Sequence, residues 1–373
     1  MSVTERQIRD ELAKVMTPRG VPLTQAGVLS EIAIKDGKAY FSLNVSSGEV
    51  QAWDKVRAQA ETVVRAIPGI SVAMVVLTAE RSAGAAQTGA SKGVPNVAGH
   101  RAPHGRGGLP KQSEIPGVAA IIAVASGKGG VGKSTTAINL ALGLRDLGLR
   151  VGLLDADIYG PSVPRLTGIH GKPRLNDSKK MIPLEQFGLS IMSIGFLVEE
   201  ETPMIWRGPM VMSAVTQMLR EVAWGELDVL VVDMPPGTGD AQLTLAQEVP
   251  LKGAVIVSTP QDLSLIDARR GLAMFKKVNV PVLGIVENMS YFQCPECGTR
   301  SDIFGHGGAR HEAERLGVPF LGEVPLHMSI RATSDAGTPV VVSEPNGPHA
   351  TIYRAIATQV RDQLKDVLAM AAD

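Results

Sequence analysis

Cys294 and Cys297 are the only thiols in 373 residues, and they sit three positions apart in the run CPEC. Far upstream, SGKGGVGKST (residues 126–135) sets two lysines among glycines, and Asp155, Asp157 and Asp233 follow at the ends of apolar runs. Paired thiolates chelate soft metals or exchange as a disulfide. A glycine-rich loop brings backbone N–H groups and an ammonium onto phosphate oxygens. Carboxylates at strand ends suit a hard cation or an attacking water. One chain thus carries the means for nucleotide chemistry and for metal or redox chemistry.

Gly127, Gly132, Lys133 and Ser134 fit G-x-x-x-x-G-K-[ST] between an apolar run and a helical pattern, the context this motif needs. Lys133 would reach the β- and γ-phosphates, and Ser134 would offer its hydroxyl to Mg²⁺. Thr135 and the loop amides of Gly129, Gly130 and Val131 would complete an ATP cradle; a purely structural glycine turn is the alternative. A second lysine, Lys128, follows the first glycine, which an ordinary phosphate loop does not require. In this the loop resembles the deviant Walker A ATPases, the ParA, MinD and nitrogenase iron-protein group. The resemblance implies a face-to-face homodimer in which Lys128 reaches the partner's nucleotide. A solvated loop lysine is the alternative.

Asp155 and Asp157 in LLDADIYGPSVP are two apart, so a continuous strand would point both the same way. One would organise the water shell of Mg²⁺ and the other orient the attacking water; the resemblance favours Asp157 for the second role. Asp233 ends LVVDMPPGTGD in a Walker B position for Mg²⁺, and Pro235 to Gly237 resemble a switch II turn. Asp240 is expected to cap the next helix. Asn288 could pair with the donor and acceptor edge of adenine, a use the resemblance implies, or merely close a strand.

The cysteines admit several readings. A redox pair would bring its own fold. A zinc site would recruit His306 and His311, in C-x₂-C-x₈-H-x₄-H spacing. Two unligated thiols are a third possibility. If the chain dimerises about a two-fold axis, two thiolates per protomer make four, the complement of an iron–sulfur cluster held at the seam.

SGKGGVGKST, LLDADIYGPSVP, WRGPMVMSA, VVDMPPGTGD and NMSYFQCPECG with IFGHGGA together resemble the Mrp (ApbC-type) iron–sulfur cluster carrier ATPases, from about Val118 to the C-terminus. The resemblance implies ATP hydrolysis coupled to transfer of a cluster, in a [4Fe–4S] or [2Fe–2S] form, on Cys294 and Cys297 of both protomers. Apo iron–sulfur proteins would be the recipients and iron–sulfur assembly machinery the donor. The front of the chain is similar to a small domain that often precedes this ATPase. It has no cysteine here, so a docking or structural role is expected of it.

These residues need a scaffold. Residues 1–81 read as a small α+β domain: a Thr4/Gln7 capping box, a hairpin turning at Asp36-Gly37, a helix over 51–66 and a strand over 70–77. Residues 82–116 are Gly, Ala, Ser and Pro with few large apolar side chains, a flexible linker by composition. From 117 to 373, buried-type apolar runs alternate with helical stretches, which predicts a doubly wound α/β domain with a mostly parallel sheet.

Charge is balanced, 37 basic against 37 acidic, so no global field favours nucleic acid or an anionic membrane. The charged N-terminus has no signal-peptide core, and the compartment expected is the cytoplasm. A ParA- or MinD-like positioning ATPase is the alternative function, with the stripe Ile352, Ile356, Val360 and Leu364 as its candidate anchor, though the few basic residues there favour packing on the sheet. A zinc-stabilised ATPase without cluster chemistry is another.

Overall fold

A computed structural model describes residues 3–30, 32–35, 38–46, 50–70, 72–80, 114–198 and 208–370. The predicted linker lies outside them through residue 113, as do Trp206 and Arg207. The chain divides into two compact units, Met1–Arg106 and Gly107–Asp373.

In the first unit, α1 (Glu5–Leu12) starts at a complete capping box. Thr4 Oγ1 accepts from Gln7 N, and Thr4 N donates to Gln7 Oε1 at 2.9 Å. Ile8 and Leu12 face inward and are fully buried. Strands β1 (Ala33–Lys35) and β2 (Lys38–Ser46) pair antiparallel across the Asp36-Gly37 position, which is itself outside the described residues. After α2 (Val50–Arg65), β3 (Val72–Glu80) returns parallel to β2.

The second unit is built on strands β4 (Val118–Ala125), β5 (Val151–Asp155), β6 (Leu184–Gln186), β7 (Leu189–Ser193), β8 (Leu227–Asp233), β9 (Gly253–Ser258), β10 (Val282–Gln293), β11 (Arg300–Ser301) and β12 (Phe320–Leu326). The order is β11-β10-β9-β4-β8-β5-β7-β6, with β12 also on β10. Strands β4, β5, β7, β8, β9, β10 and β12 run parallel, while β6 and β11 pair antiparallel. The expected doubly wound α/β architecture is therefore present. Strands β5 and β9 lie on opposite sides of β4, so the chain reverses its winding there and opens a crevice at the carboxyl end of β4.

The unit's helices are α3 (Lys133–Asp146), α4 (Val163–Thr167), α5 (Gly208–Arg220), α6 (Asp240–Glu248), α7 (Asp262–Lys277), α8 (Gly308–Leu316), α9 (Met328–Asp335), α10 (Val340–Ser343), α11 (Pro348–Gln363) and α12 (Lys365–Met370). Among the described residues, no helix is long and apolar enough to cross a membrane. The C-terminal stripe packs instead: Ile356, Val360 and Leu364 are buried in the core, with Ile352 against it. Helix α6 starts at Asp240 with Gly239 in the capping position, one residue earlier than the sequence suggested.

Helix α3 leaves the glycine-rich loop and runs against α11 along a seam that has no room for a side chain at Gly143. A Cβ there would lie 2.9 Å from Ala357 Cβ and 3.1 Å from the Tyr353 carbonyl oxygen. Close backbone approach of α11 thus sets the position of α3, and with it the loop. Gly143→Val should cost about 1–3 kcal/mol through overpacking, read as a lower midpoint in urea with an unchanged slope.

Candidate functional site

Phosphate-binding geometry is assembled between Ala125, where β4 ends, and Lys133, where α3 begins. Gly132 is the residue before the helix, with φ 80°, and a Cβ on it would lie 2.1 Å from Asn288 Nδ2. Glycine is therefore demanded twice there, by the left-handed backbone and by the neighbouring carboxamide. Thr136 N donates to Gly132 O, the first bond of the helix, so the N–H groups of Lys133, Ser134 and Thr135 open towards the loop. Helix N-termini in this arrangement attract phosphate.

The carboxyl ends of three adjacent strands deliver the charges. Lys133 Nζ donates to Asp233 Oδ1 at 2.6 Å and lies 3.2 Å from Ser134 Oγ. Asp233 is fully buried, and its second oxygen, Oδ2, has no hydrogen-bond partner. A buried carboxylate oxygen left over beside a serine hydroxyl is what a Mg²⁺ ion or its water would satisfy. Asp233 and Ser134 thus fit such an ion.

Asp155 and Asp157 do not share a strand face, because β5 ends at Asp155 and the chain turns. Asp155 spends its oxygens on that turn. Oδ2 accepts from Ser162 N, Val163 N and Ser193 Oγ at 3.0–3.1 Å, and Oδ1 accepts from Asp157 N at 3.1 Å. Burial first, and the neighbouring Asp233 charge second, push the Asp155 carboxyl up to about 7. Asp157 is buried beside Lys133, and burial likewise raises it.

Switch-like contacts converge on Ser126. Gly237 N donates to its carbonyl at 3.0 Å, while Gln242 Nε2 donates to Pro235 O at 2.9 Å. The Ser126 hydroxyl in turn donates to Lys128 O at 2.9 Å. Lys128 Nζ lies 3.5 Å from Gln261 Oε1, at the start of α7. Ser193 and Gln242 did not stand out in the sequence; the only signal was a polar residue beside an apolar run.

Asn288 Nδ2 donates to Val131 O at 2.8 Å, across 157 residues of chain. The carboxamide is therefore buckled onto the loop, one Nδ2 hydrogen and Oδ1 remaining for any base.

Strand β10 outruns β9. Its last partner on β9 is Ser258, opposite Glu287, yet the strand continues to Gln293. There it pairs with β11, and the connecting turn holds both cysteines. Cys294 N donates to Thr299 O and Gly298 N to Cys294 O, each at 2.9 Å, closing the hairpin tip. Cys294 is half-buried, Cys297 is exposed, and both are free. The Thr299 hydroxyl, 3.2 Å from Cys297 Sγ, then the Thr299 backbone N–H and the Cys294 side chain, lower the Cys297 thiol to about 7. Thr299, two positions past the motif, is a contact of the thiol that the spacing did not reveal.

The histidines do not join the thiols. His306 faces Glu287 and Glu323, with ligand-type atoms all within 4.8 Å of one another, and neither cysteine belongs to this group. Arg300 donates to His306 Nδ1 at 2.8 Å and lies 3.5 Å from Glu323 Oε2. Guanidinium charge thus already occupies this cluster. The four-residue zinc site read from C-x₂-C-x₈-H-x₄-H is not assembled, because β11 and the start of α8 carry His306 away from the hairpin tip.

Comparison with known proteins adds independent findings. A family model described as the NUBPL iron-transfer P-loop NTPase matches residues 117–361, and one described as an iron–sulfur cluster assembly protein matches residues 5–76. The chain is 58% identical over 260 residues to the mouse iron–sulfur cluster transfer protein NUBPL, covering 69% of this chain and 82% of that one. It is 55% identical over 254 residues to the Escherichia coli iron–sulfur cluster carrier protein, covering 68% and 69%.

Among solved structures, an Archaeoglobus fulgidus nucleotide-binding protein in complex with ADP is 41% identical, with a TM-score of 0.55, covering 63% of this chain and 91% of that one. The Pyrococcus furiosus cell division ATPase MinD, 21% identical with a TM-score of 0.50 and covering 65% and 99%, shares the fold.

Two outcomes follow from the charges. Between about pH 4 and 7 the folded state holds a proton on Asp155 that the unfolded chain has released, so stability falls as pH rises through that window. Asp155→Asn removes this dependence, and its stability deficit against the parent should shrink from pH 4 to 7 in urea titrations of the nucleotide-free protein. For the thiols, alkylation of Cys297 should rise with pH to a midpoint near the value of about 7 given by its donors. Thr299→Val should move that midpoint up.

Proposed function

Because the chain belongs to the NUBPL iron-transfer P-loop NTPase family, we propose that it is an ATP-hydrolysing carrier that holds an iron–sulfur cluster and passes it to apo-proteins. The observation that carries the reading is the pairing, on one strand, of Asn288 at the phosphate loop with Cys294 and Cys297 at an exposed tip.

The loop amides of Gly127, Gly129, Gly130, Val131 and Gly132, with those at the start of α3, cradle the phosphates of ATP. Lys133 leaves Asp233 to meet the β- and γ-phosphates. Ser134 and Asp233 would hold Mg²⁺, whose charge would offset that of the phosphates. Asp157, on a turn braced by Asp155, orients the water. Lys128, held loosely by Gln261, is free to cross to the partner protomer's nucleotide. The ADP-bound Archaeoglobus relative supports the nucleotide part of this reading.

A cluster asks for four thiolates and each chain offers two, so the cargo lies between two protomers, each giving Cys294 and Cys297. An exposed Cys297 with a lowered thiol suits a ligand that must bind at neutral pH and let go again. Few ligands per chain favour release over permanent storage. Apo iron–sulfur proteins are the recipients and assembly machinery the donor. The cysteine-free front unit, separated by the 82–116 linker, offers no thiolate and serves in docking.

Anaerobic reconstitution with iron and sulfide, with metal analysis and sizing, tests this. About two iron and two sulfide per chain in a dimer are expected for one shared four-iron cluster. Cys297→Ser should abolish loading and His306→Ala should leave it intact. One zinc per monomer without sulfide would overturn the proposal.

A further inference from the structure

Glu287 is fully buried, a carboxylate that follows the apolar run Val282–Val286 of β10, and the ATPase chemistry makes no use of it. Its oxygens are nonetheless fully engaged. Oε1 accepts from Ser290 Oγ at 2.6 Å and from Gly307 N at 3.3 Å, and Oε2 accepts from Ala309 N at 2.6 Å. Helix α8 has Gly307 in the capping position and no side-chain cap of its own. Glu287 supplies the cap from another element, with its charge at the helix N-terminus.

The placement connects two regions. Neighbours on a strand point to opposite faces, and here Asn288 grips Val131 O while Glu287 grips the segment that returns from the cysteine hairpin. Beyond Asn288 the ladder with β12 is interrupted until Phe292, and Met289 sits at φ 55°. Across that irregularity the Ser290 hydroxyl ties the chain to Glu287. Both legs of the hairpin therefore refer to one carboxylate. Gly132 and Asn288 are packed without slack, so a shift of the loop on taking up phosphate is passed to Asn288 and the residue beside it.

We infer that Glu287 is the positioning residue through which occupancy of the phosphate loop sets the geometry of the Cys294–Cys297 hairpin; this rests on the carrier reading above. A ligand can move a distant element only by differing in its affinity for two arrangements of that element. The bulge from Met289 to Tyr291 is that element, and Glu287 determines whether its motion reaches the return leg.

Hydrogen exchange on the full-length, cluster-free chain with and without Mg·ADP is the test. In the parent protein, nucleotide should change exchange at Cys294 N and Gly298 N at least about fivefold. Glu287→Ala should still bind Mg·ADP with similar affinity, yet its hairpin exchange should no longer respond. Ser290→Ala, which removes one bond and keeps the carboxylate, should give a reduced response, and it decides the matter if Glu287→Ala does not fold. A full response in folded Glu287→Ala, an unreduced response in Ser290→Ala, or a hairpin indifferent to nucleotide in the parent would each overturn the inference. Iron loading is measured separately, so a responsive hairpin that never loads a cluster would remove the carrier reading and leave the coupling standing.

Discussion

Burying Lys133, Asp155 and Asp233 together at the carboxyl edge of β4, β5 and β8 is the constraint on which the rest of the unit depends. Removing charges from water is expensive, and a pair at 2.6 Å recovers that cost only if every remaining lone pair is accounted for. The fold does most of this accounting with backbone. Asp155 collects amides from the turn that follows it, which fixes the path from β5 to α4, and Ser193 closes the set from β7. One oxygen, Asp233 Oδ2, is left over. Within the Lys133–Asp155–Asp233 group it is the one buried oxygen without a hydrogen-bond partner, which a bound cation or its water would satisfy.

That arrangement also gives a nucleotide something to change. Lys133 sits on Asp233, and the switch-like turn at Pro235–Gly237 is tied to Ser126 through Gly237 N and Gln242. Under the proposed function, phosphate would offer Lys133 a second partner beside the contacts that converge on Ser126. The same set of bonds includes Lys128, whose carbonyl the Ser126 hydroxyl holds.

At the other end of the sheet, β10 serves two sites because it is longer than the strand beside it. Within the sheet it is an ordinary buried strand between β9 and β12. Past Glu287 it leaves β9 and becomes one leg of a hairpin whose tip carries a half-buried Cys294 and an exposed Cys297. Arg300 stiffens the other leg, lying 4.0 Å over the Tyr291 ring and bonding Asp302 and His306. The polar cluster that resembles a metal site by residue type is thus a brace for the cysteine hairpin.

Much of this was legible in the residues themselves. The glycine-rich loop between a strand and a helix, the strands of the sheet centre and the Thr4/Gln7 cap are local patterns whose physics is complete within a few residues. The strand ending early at Asp155, which separates it from Asp157, was not, because where a strand stops depends on which amides meet its last carboxylate.

Nor could spacing exclude His306 from the thiols or single out Glu287 and Thr299. Histidines nine and fourteen residues past Cys297 lie within chain reach of a metal, and only the pairing of β11 and the capping of α8 take them elsewhere. Sequence alone determined the chemistry on offer, since residue types and short-range spacing carry it. Tertiary structure decided which groups meet, because burial and hydrogen-bond satisfaction are settled between segments far apart along the chain.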